Sequence, residues 1–277
     1  MIEIGKVQTL PVTKNVDFGV YLDGAEYGEI LLPKRYIASE LAVGDEISVF
    51  IYFDSDDRII ATTEVPLSQV DECAFLEVKE VNSIGAFLDW GLSKDLFVPF
   101  REQTVKMKEG RSYCVKVLRD TVSERIIASA KIDKYFLPVV PPYKPGDKVE
   151  VFVYNQTDLG YKVVVEHNFS GLLFENEVFE SISPGDVKEA YVKQVREDGK
   201  IDVSLYKPGF SEPNDLSADI LDKLNQSAEG FIPFSDSSAP ELIYSEFGVS
   251  KKKFKMAIGM LYKQRKIVIT NEGIKLL

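Results

Sequence analysis

Histidine is almost absent from this 277-residue chain. The single copy, His167, removes His-based catalytic triads and the common zinc sites, which need several His or Cys ligands. Cysteine is nearly as scarce. Cys73 and Cys114 provide no disulfide framework. Both lie in apolar strand-like runs, CAFLEV and YCVKV, and read as reduced, buried and inert thiols, for which the cytoplasm is the natural compartment. No apolar run approaches the roughly 20 residues of a membrane span. The opening MIEIGKVQTL lacks a basic segment followed by an apolar core, so no signal peptide is expected. Gly-rich phosphate loops, nucleophile elbows and Cys-pair motifs are missing too. No cofactor, no metal, no membrane and no catalytic centre are expected. Asp54, Asp56 and Asp57 lack the Gly and later Glu of a calcium loop and sit where a strand-to-strand turn belongs. An excess of positive charge is also lacking. The formal net charge is −11, so a nucleic-acid partner would have to be held by local patches against a repulsive background.

What the chain has is short alternating strands, up to about residue 206. Length alone points to roughly two domains, but an internal repeat takes precedence. In EISVFIYFD (46–54), Ile47, Val49, Ile51 and Phe53 share one side. YCVKVLRD (113–120) and KVEVFVYN (148–155) behave likewise. A first strand runs into a Gly-centred hairpin at NVDFGVYLD, NSIGAFLDW and TDLGYKVVV. A third strand follows at YGEILLP, DLFVPF and FSGLLF. A short polar link comes next, at KRYIASEL, REQTV and ENEVF. Two more strands close each unit. Five strands in this order, with a link between the third and fourth, describe an OB-type barrel. VPLSQVDE (65–72), LPVVPPYKPG (137–146) and KPGFSEPND (207–215) read as linkers.

The last segment changes period. Leu216, Ile220 and Leu224 mark a helix face in DLSADILDKLNQ. APELIYSEFG reads as a second short helix, with Pro240 in its first turn and Gly248 at its end. Ser250 is an N-cap candidate. Beyond it, Phe254, Ala257, Ile258 and Leu261 form one apolar face. RKIVITNEGIKLL makes a hairpin around Asn271-Glu272-Gly273, and GFIPF is a further possible strand. Helix, helix, helix and hairpin is a winged-helix arrangement. The fold class expected is therefore mainly β: three tandem OB-fold five-stranded β-barrels followed by an α+β winged-helix domain. The expected boundaries are 1–65, 70–134, 145–207 and 214–277.

Within the barrels, Phe18-Gly19-Val20-Tyr21-Leu22, Gly44-Asp45 and Asp54…Arg58-Ile59-Ile60 resemble the S1 RNA-binding domain of ribosomal protein S1 and polynucleotide phosphorylase. So do Gly85-Ala86-Phe87-Leu88 with Asp120…Arg125-Ile126-Ile127, and Gly160-Tyr161-Lys162 with Gly171-Leu172-Leu173 and Gly185-Asp186. Two departures stand out. The family's histidine is replaced near Leu32, Val98 and Phe174, and Ile84 stands where the first family aromatic would be. Three such barrels before a winged helix resemble the bacterial conserved virulence factor B (YitL-like) family over essentially the whole chain. GAFLDWGLSKDLFVPFREQ, GYKVVVEHNFSGLLFENEVF and VKQVREDGKIDVSL are the most telling stretches. The resemblance implies RNA binding and a role in regulating gene expression.

Single-stranded nucleic acid needs aromatic faces for its bases and positive charge along its phosphates. The candidates in the first unit are Phe18, Tyr21, Tyr27, Arg35 and Arg58. Strict alternation separates Phe18 from Tyr21, although a bend at Gly19 can reunite them. The second unit offers Phe87, Trp90, Arg101 and Arg125, with Trp90 expected as an exposed neighbour of Phe87. The third offers Tyr161, Arg196 and Lys200. Tyr36, Phe97, Phe100, His167, Phe169 and Phe174 are divided between core and surface. In the winged helix, Lys251, Lys252, Lys253, Lys255, Lys263, Arg265 and Lys266 lie in a stretch without Asp or Glu. The expected partner is single-stranded RNA. Duplex DNA read by the winged helix, or a ribosome- or protein-docking role, are the alternatives.

Overall fold

A strand closes into a small barrel only if it bends, and each repeat bends its first strand at the same place. The computed structural model describes residues 2–178, 180–205, 213–227 and 229–277, with backbone only at 213–215. The first repeat comprises β1 (Val7–Val16), β2 (Gly19–Asp23), β3 (Glu29–Pro33), β4 (Glu46–Phe53) and β5 (Ile59–Thr62). The second comprises β6 (Cys73–Val81), β7 (Gly85–Leu88), β8 (Leu96–Pro99), β9 (Ser112–Arg119) and β10 (Ile126–Ser129). The third comprises β11 (Lys148–Thr157), β12 (Gly160–Val165), β13 (Phe169–Phe174), β14 (Val187–Val195) and β15 (Ile201–Ser204). Each set closes a five-stranded barrel. The pairing of first and second strands slips between Val12 and Lys14, between Val78 and Glu80, and between Val153 and Asn155. Such bulges bend and twist a strand. The third and fifth strands then meet in parallel and complete the closure.

The repeated hairpin glycine has a steric cause. A Cβ on Gly19, Gly85 or Gly160 would stand 2.2, 2.3 or 2.1 Å from the carbonyl oxygen of Leu32, Val98 or Leu173. Only glycine lets the second and third strands approach so closely.

The chain forms two compact units, Met1–Leu137 and Pro138–Leu277. In the first, β4 is buried on both faces. Val49 and Ile51 fill the first barrel's core, while Phe50 and Tyr52 join Trp90, Leu92 and Val98 in the second. VPLSQVDE is accordingly a packed joint rather than a free linker. The Leu67 N–H donates to the Trp90 carbonyl at 2.8 Å and the Val70 N–H to that of Gly5 at 2.9 Å.

The second unit holds the third barrel and α1 (Pro213–Gln226), β16 (Phe231–Ile232), α2 (Pro240–Phe247), α3 (Lys251–Lys263), β17 (Ile267–Ile269) and β18 (Ile274–Leu276). The sheet order is β16-β18-β17. Leu216, Ile220, Leu224, Phe254, Ala257, Ile258 and Leu261 are buried in one cluster, as the helical period predicts. Gly248 is left-handed at the end of α2, and Ser250 caps α3 by accepting from the Lys253 N–H. Of the stretch KPGFSEPND, everything before the helical backbone at 213 lies outside the described residues.

Candidate nucleic-acid interface

On the outer face of every barrel the second, third and fifth strands are in the same register. Tyr21 pairs with Leu31 and Leu31 with Ile60. Phe87 pairs with Phe97 and Phe97 with Ile127. Lys162 pairs with Leu172 and Leu172 with Asp202. A cation precedes the fifth strand in each case: Arg58, Arg125 and Lys200. One backbone bond closes the turn presenting it, from the Asp54 N–H to Arg58 (2.9 Å), from Asp120 to Arg125 (2.9 Å) and from Arg196 to Lys200 (2.8 Å). An apolar or aromatic row beside a cation therefore recurs in the first two barrels, while the third holds Lys162 and Asp202 at the equivalent positions.

In the first barrel Phe18 is 57% exposed at the hairpin tip. It meets Tyr21 edge-on, with ring centroids 6.4 Å apart. The bend at Gly19 thus joins two rings that alternation would separate. Arg58 donates to Asp54 Oδ2 through Nε (2.9 Å) and Nη2 (2.7 Å), and Asp54 Oδ1 accepts the N–H groups of Asp56 and Arg58. Burial alone would raise the Asp54 carboxyl. The Arg58 bonds and the two N–H groups outweigh it, holding the acid below its ordinary range. Asp54 and Asp56 thus hold the turn together through Arg58, and among the described residues no group of three or more His, Cys, Asp or Glu side chains is placed to hold a metal. Arg35 lies over the Tyr36 ring at 4.6 Å and donates to its hydroxyl at 2.8 Å. Tyr27 falls in the β2–β3 loop, where its hydroxyl accepts from Arg119 at 3.5 Å.

The second barrel corrects one expectation. Trp90 is 2% exposed. It packs edge-on against Phe50 of the first barrel, and its Nε1 donates to the Lys94 carbonyl at 2.6 Å. It is a joint between barrels rather than an exposed stacking face. Phe87 and Phe97 do form a half-exposed pair, with centroids 5.1 Å apart and planes at 33°. Arg125 is not held by its own turn. Asp120, the counterpart of Asp54, accepts instead from Ser123 Oγ (2.7 Å) and Arg101 Nη2 (3.2 Å). Arg125 reaches Asp57 of the first barrel, which also lies 3.7 Å from Lys94 Nζ. Phe100 is exposed.

The third barrel brings a second correction. Tyr161 shares a strand side with Val163 and Val165 and packs against their core, because side chains alternate with period two. The outward ring is Phe174, with Lys193 Nζ 5.3 Å and the Arg196 guanidinium 5.9 Å from its centre. Lys193 also binds Glu177, Arg196 binds Asp202 at 2.5 Å, and Lys200 binds Asp198 at 2.7 Å. Phe169 is buried. His167 stands 3.7 Å from Glu150.

Helix α3 divides its cations between its two ends, about 20 Å apart at helical rise. Lys251, Lys252, Lys253 and Lys255 crowd the N-terminal end, where no acidic residue complements the helix dipole. Lys263, Arg265 and Lys266 sit around the turn into β17. All but the half-buried Lys251 are exposed, and Lys255 lies 3.8 Å from Asp236. Tyr262 and Met256 are 56% and 54% exposed on the same helix. Neither was singled out by the sequence. A helical count from Lys252 through Lys255 to Tyr262 would have placed them on the basic side. Lys94, Lys193 and Asp57 also escaped as contacts, because their relevance depends on neighbours distant in sequence.

The S1 domain model matches residues 4–64, and the CvfB-like winged helix domain model matches residues 218–276. The chain is 30% identical to uncharacterized protein YitL of Bacillus subtilis (strain 168), over 96% of this chain and 91% of that one. It is 28% identical to conserved virulence factor B of Staphylococcus haemolyticus (strain JCSC1435), over 99% and 94%. A solved structure from Streptococcus pneumoniae TIGR4, described as a multidomain protein with nucleic acid binding domains, is 24% identical. It covers 99% of this chain and 98% of its own, with a TM-score of 0.40.

Proposed function

The chain belongs to the conserved virulence factor B (YitL-like) family, and we propose that it is a non-enzymatic bacterial protein that binds single-stranded RNA and regulates gene expression after transcription. It would work in the cytoplasm. Among the described residues no helix is long and apolar enough to cross a membrane. The observation that carries the reading is the repeated register of an outward apolar row beside a cation, Tyr21–Leu31 with Arg58 and Phe87–Phe97 with Arg125. Flat rings accept bases of any sequence, and neighbouring cations follow the phosphates. The division 1–65, 70–134, 145–207 and 214–277 goes with this reading. Several weak sites on one chain gain affinity from effective concentration where they can be engaged together. The basic ends of α3 supply local positive charge in an acidic protein.

One observation favours a second reading. A capped helix opening on four lysines within five residues is suited to a duplex groove, which would make the protein a DNA-binding regulator. A ribosome- or protein-docking role has the net acidity in its favour. Competition separates these. Unlabelled single-stranded RNA should displace a labelled single-stranded RNA more effectively than duplex DNA of equal length does. Stronger displacement by the duplex would favour the second reading.

A further inference from the structure

We propose that the two barrels of the first unit share one nucleotide-binding cleft, and that Asp57 guards it by occupying the cations a phosphate would use. This rests on the single-stranded RNA reading above. The cleft has a volume of about 440 Å³ and lies between the β4–β5 turn and the β7–β8 face, with Phe53, Ile84, Phe87, Phe97, Lys94 and Arg125 among its walls. That volume is in the range of small-ligand sites. The Phe87–Phe97 pair, with centroids 5.1 Å apart, forms an aromatic wall for one unstacked base.

The position of Asp57 follows from its neighbours. Arg58 binds Asp54 and Asp56, so those two carboxylates stay within their own turn. Asp57 has a left-handed φ of 59°, and its N–H donates to the Asp54 carbonyl at 3.1 Å. Lys94 Nζ donates to the same carbonyl at 2.6 Å and so ties the turn to the second barrel. Asp57 therefore meets Arg125 and Lys94 rather than Arg58. Asp120 is taken by Ser123 and Arg101, which leaves Arg125 free to cross.

A carboxylate and a phosphate compete for a guanidinium through the same N–H groups. The side chains of Arg125, Asp57 and Lys94 are 58%, 44% and 34% exposed. Ion pairs this open to solvent are weak one at a time, so an incoming phosphate can displace Asp57. The base then enters against Phe87 and Phe97, and the phosphate takes Arg125 and Lys94. In this exchange the protein gives up its own anion. Fewer salt counterions are released than two open cations would release.

The test uses the full chain and a fluorescein-labelled oligouridylate at low salt. Anisotropy reports total binding. Trp90, the sole tryptophan and part of the cleft wall, reports the cleft through its emission. The wild-type protein should change Trp90 emission on binding. Asp57→Asn should bind about threefold to tenfold tighter, from the loss of two exposed ion pairs. Its salt dependence should steepen by about 0.7 in log–log slope per phosphate gained. Adding Phe87→Ala should cancel the gain, and the charge-matched Glu46→Gln should not reproduce it. Binding with unchanged Trp90 emission and no Asp57→Asn effect would overturn the cleft and leave the RNA reading standing. A gain that survives Phe87→Ala, or that Glu46→Gln matches, would overturn the guard. No binding by either protein would overturn this proposal together with the reading it rests on.

Discussion

Trp90 of the second barrel meets Phe50 of the first edge-on, with ring centroids 5.7 Å apart and planes at 82°. The pair makes one body of two barrels. It explains why β4 is apolar on both faces, with Val49 and Ile51 turned one way and Phe50 and Tyr52 the other. The only tryptophan is thereby spent on architecture rather than on a ligand.

Replacing it should consequently affect stability before binding. Trp90→Ala should destabilise the first unit by about 3–5 kcal/mol, the usual loss for a large buried aromatic. Trp90→Phe should lose less, chiefly the bond from Nε1 to the Lys94 carbonyl. Chemical denaturation gives both values. RNA affinity of the folded Trp90→Phe protein should stay within about twofold, because no base stacks on a buried ring.

Phe87 and Tyr161 should behave in opposite ways. Phe87→Ala should weaken RNA binding by the loss of a stacked base, about 1–3 kcal/mol, with little change in stability. Tyr161→Ala should lower stability with little change in affinity, because Tyr161 packs on the Val163–Val165 side of its strand. Paired denaturation and anisotropy titrations separate the two. Equal loss of affinity in both variants would count against the facing assigned to these strands.

The lysines opening α3 stand against the helix dipole. Lys252→Glu with Lys253→Glu should therefore stabilise the helix by about 0.3–1 kcal/mol per site at low salt. Lys253→Glu also creates a capping box with Ser250. If these cations serve nucleic acid, the same variant should bind RNA more weakly and with a flatter salt dependence. A more stable protein that binds less well is an outcome that an idle solvated helix face does not produce. Thermal unfolding and salt-dependent anisotropy measure the two effects.

Buried Glu102 gives a dependence on acidity. Its burial alone would raise the carboxyl. Hydrogen bonds from Ser129 Oγ (2.6 Å) and the Tyr135 hydroxyl (2.9 Å), with Lys134 and Lys131 nearby, outweigh that and hold it below the ordinary range. A lowered folded-state value means that the contribution is fully present above the unfolded value, about 4.3. It is lost as pH falls from there through the folded value. Glu102→Gln should reduce stability at neutral pH and flatten the acid side of the pH–stability curve. An unchanged acid limb would show that Glu102 does not contribute.

The barrels and the winged helix were legible because their signals are periodic and local. Alternation in EISVFIYF, the recurring hairpin glycine, and the i, i+4 spacing of Leu216, Ile220 and Leu224 each constrain one element, and each element has the expected form. The site was legible only in part. Phe18 and Tyr21 could be gathered from their nearness to Gly19. The burial of Trp90 could not, because it depends on Phe50, forty residues earlier in the chain. One signal was available: the aromatics Phe50 and Tyr52 occupy the face of β4 that a single barrel would turn to water. Asp57 read as a turn residue for the same reason. Its partners Arg125 and Lys94 belong to another repeat. Tyr161 was misplaced by analogy, since the position two after the glycine is outward in all three barrels but holds lysine, Lys162, in the third.

The central claim is that outward faces of the barrels and the basic ends of α3 hold single-stranded RNA. The most direct test is the salt dependence of full-chain affinity for matched single-stranded RNA and duplex DNA, measured side by side for wild type and for Phe87→Ala combined with Lys252→Glu. The account predicts tighter binding of the single strand, a log–log salt slope of about −0.7 per phosphate contacted, and a marked loss of affinity in the combined variant. Tighter binding of the duplex, or no binding of either at low salt, would contradict it.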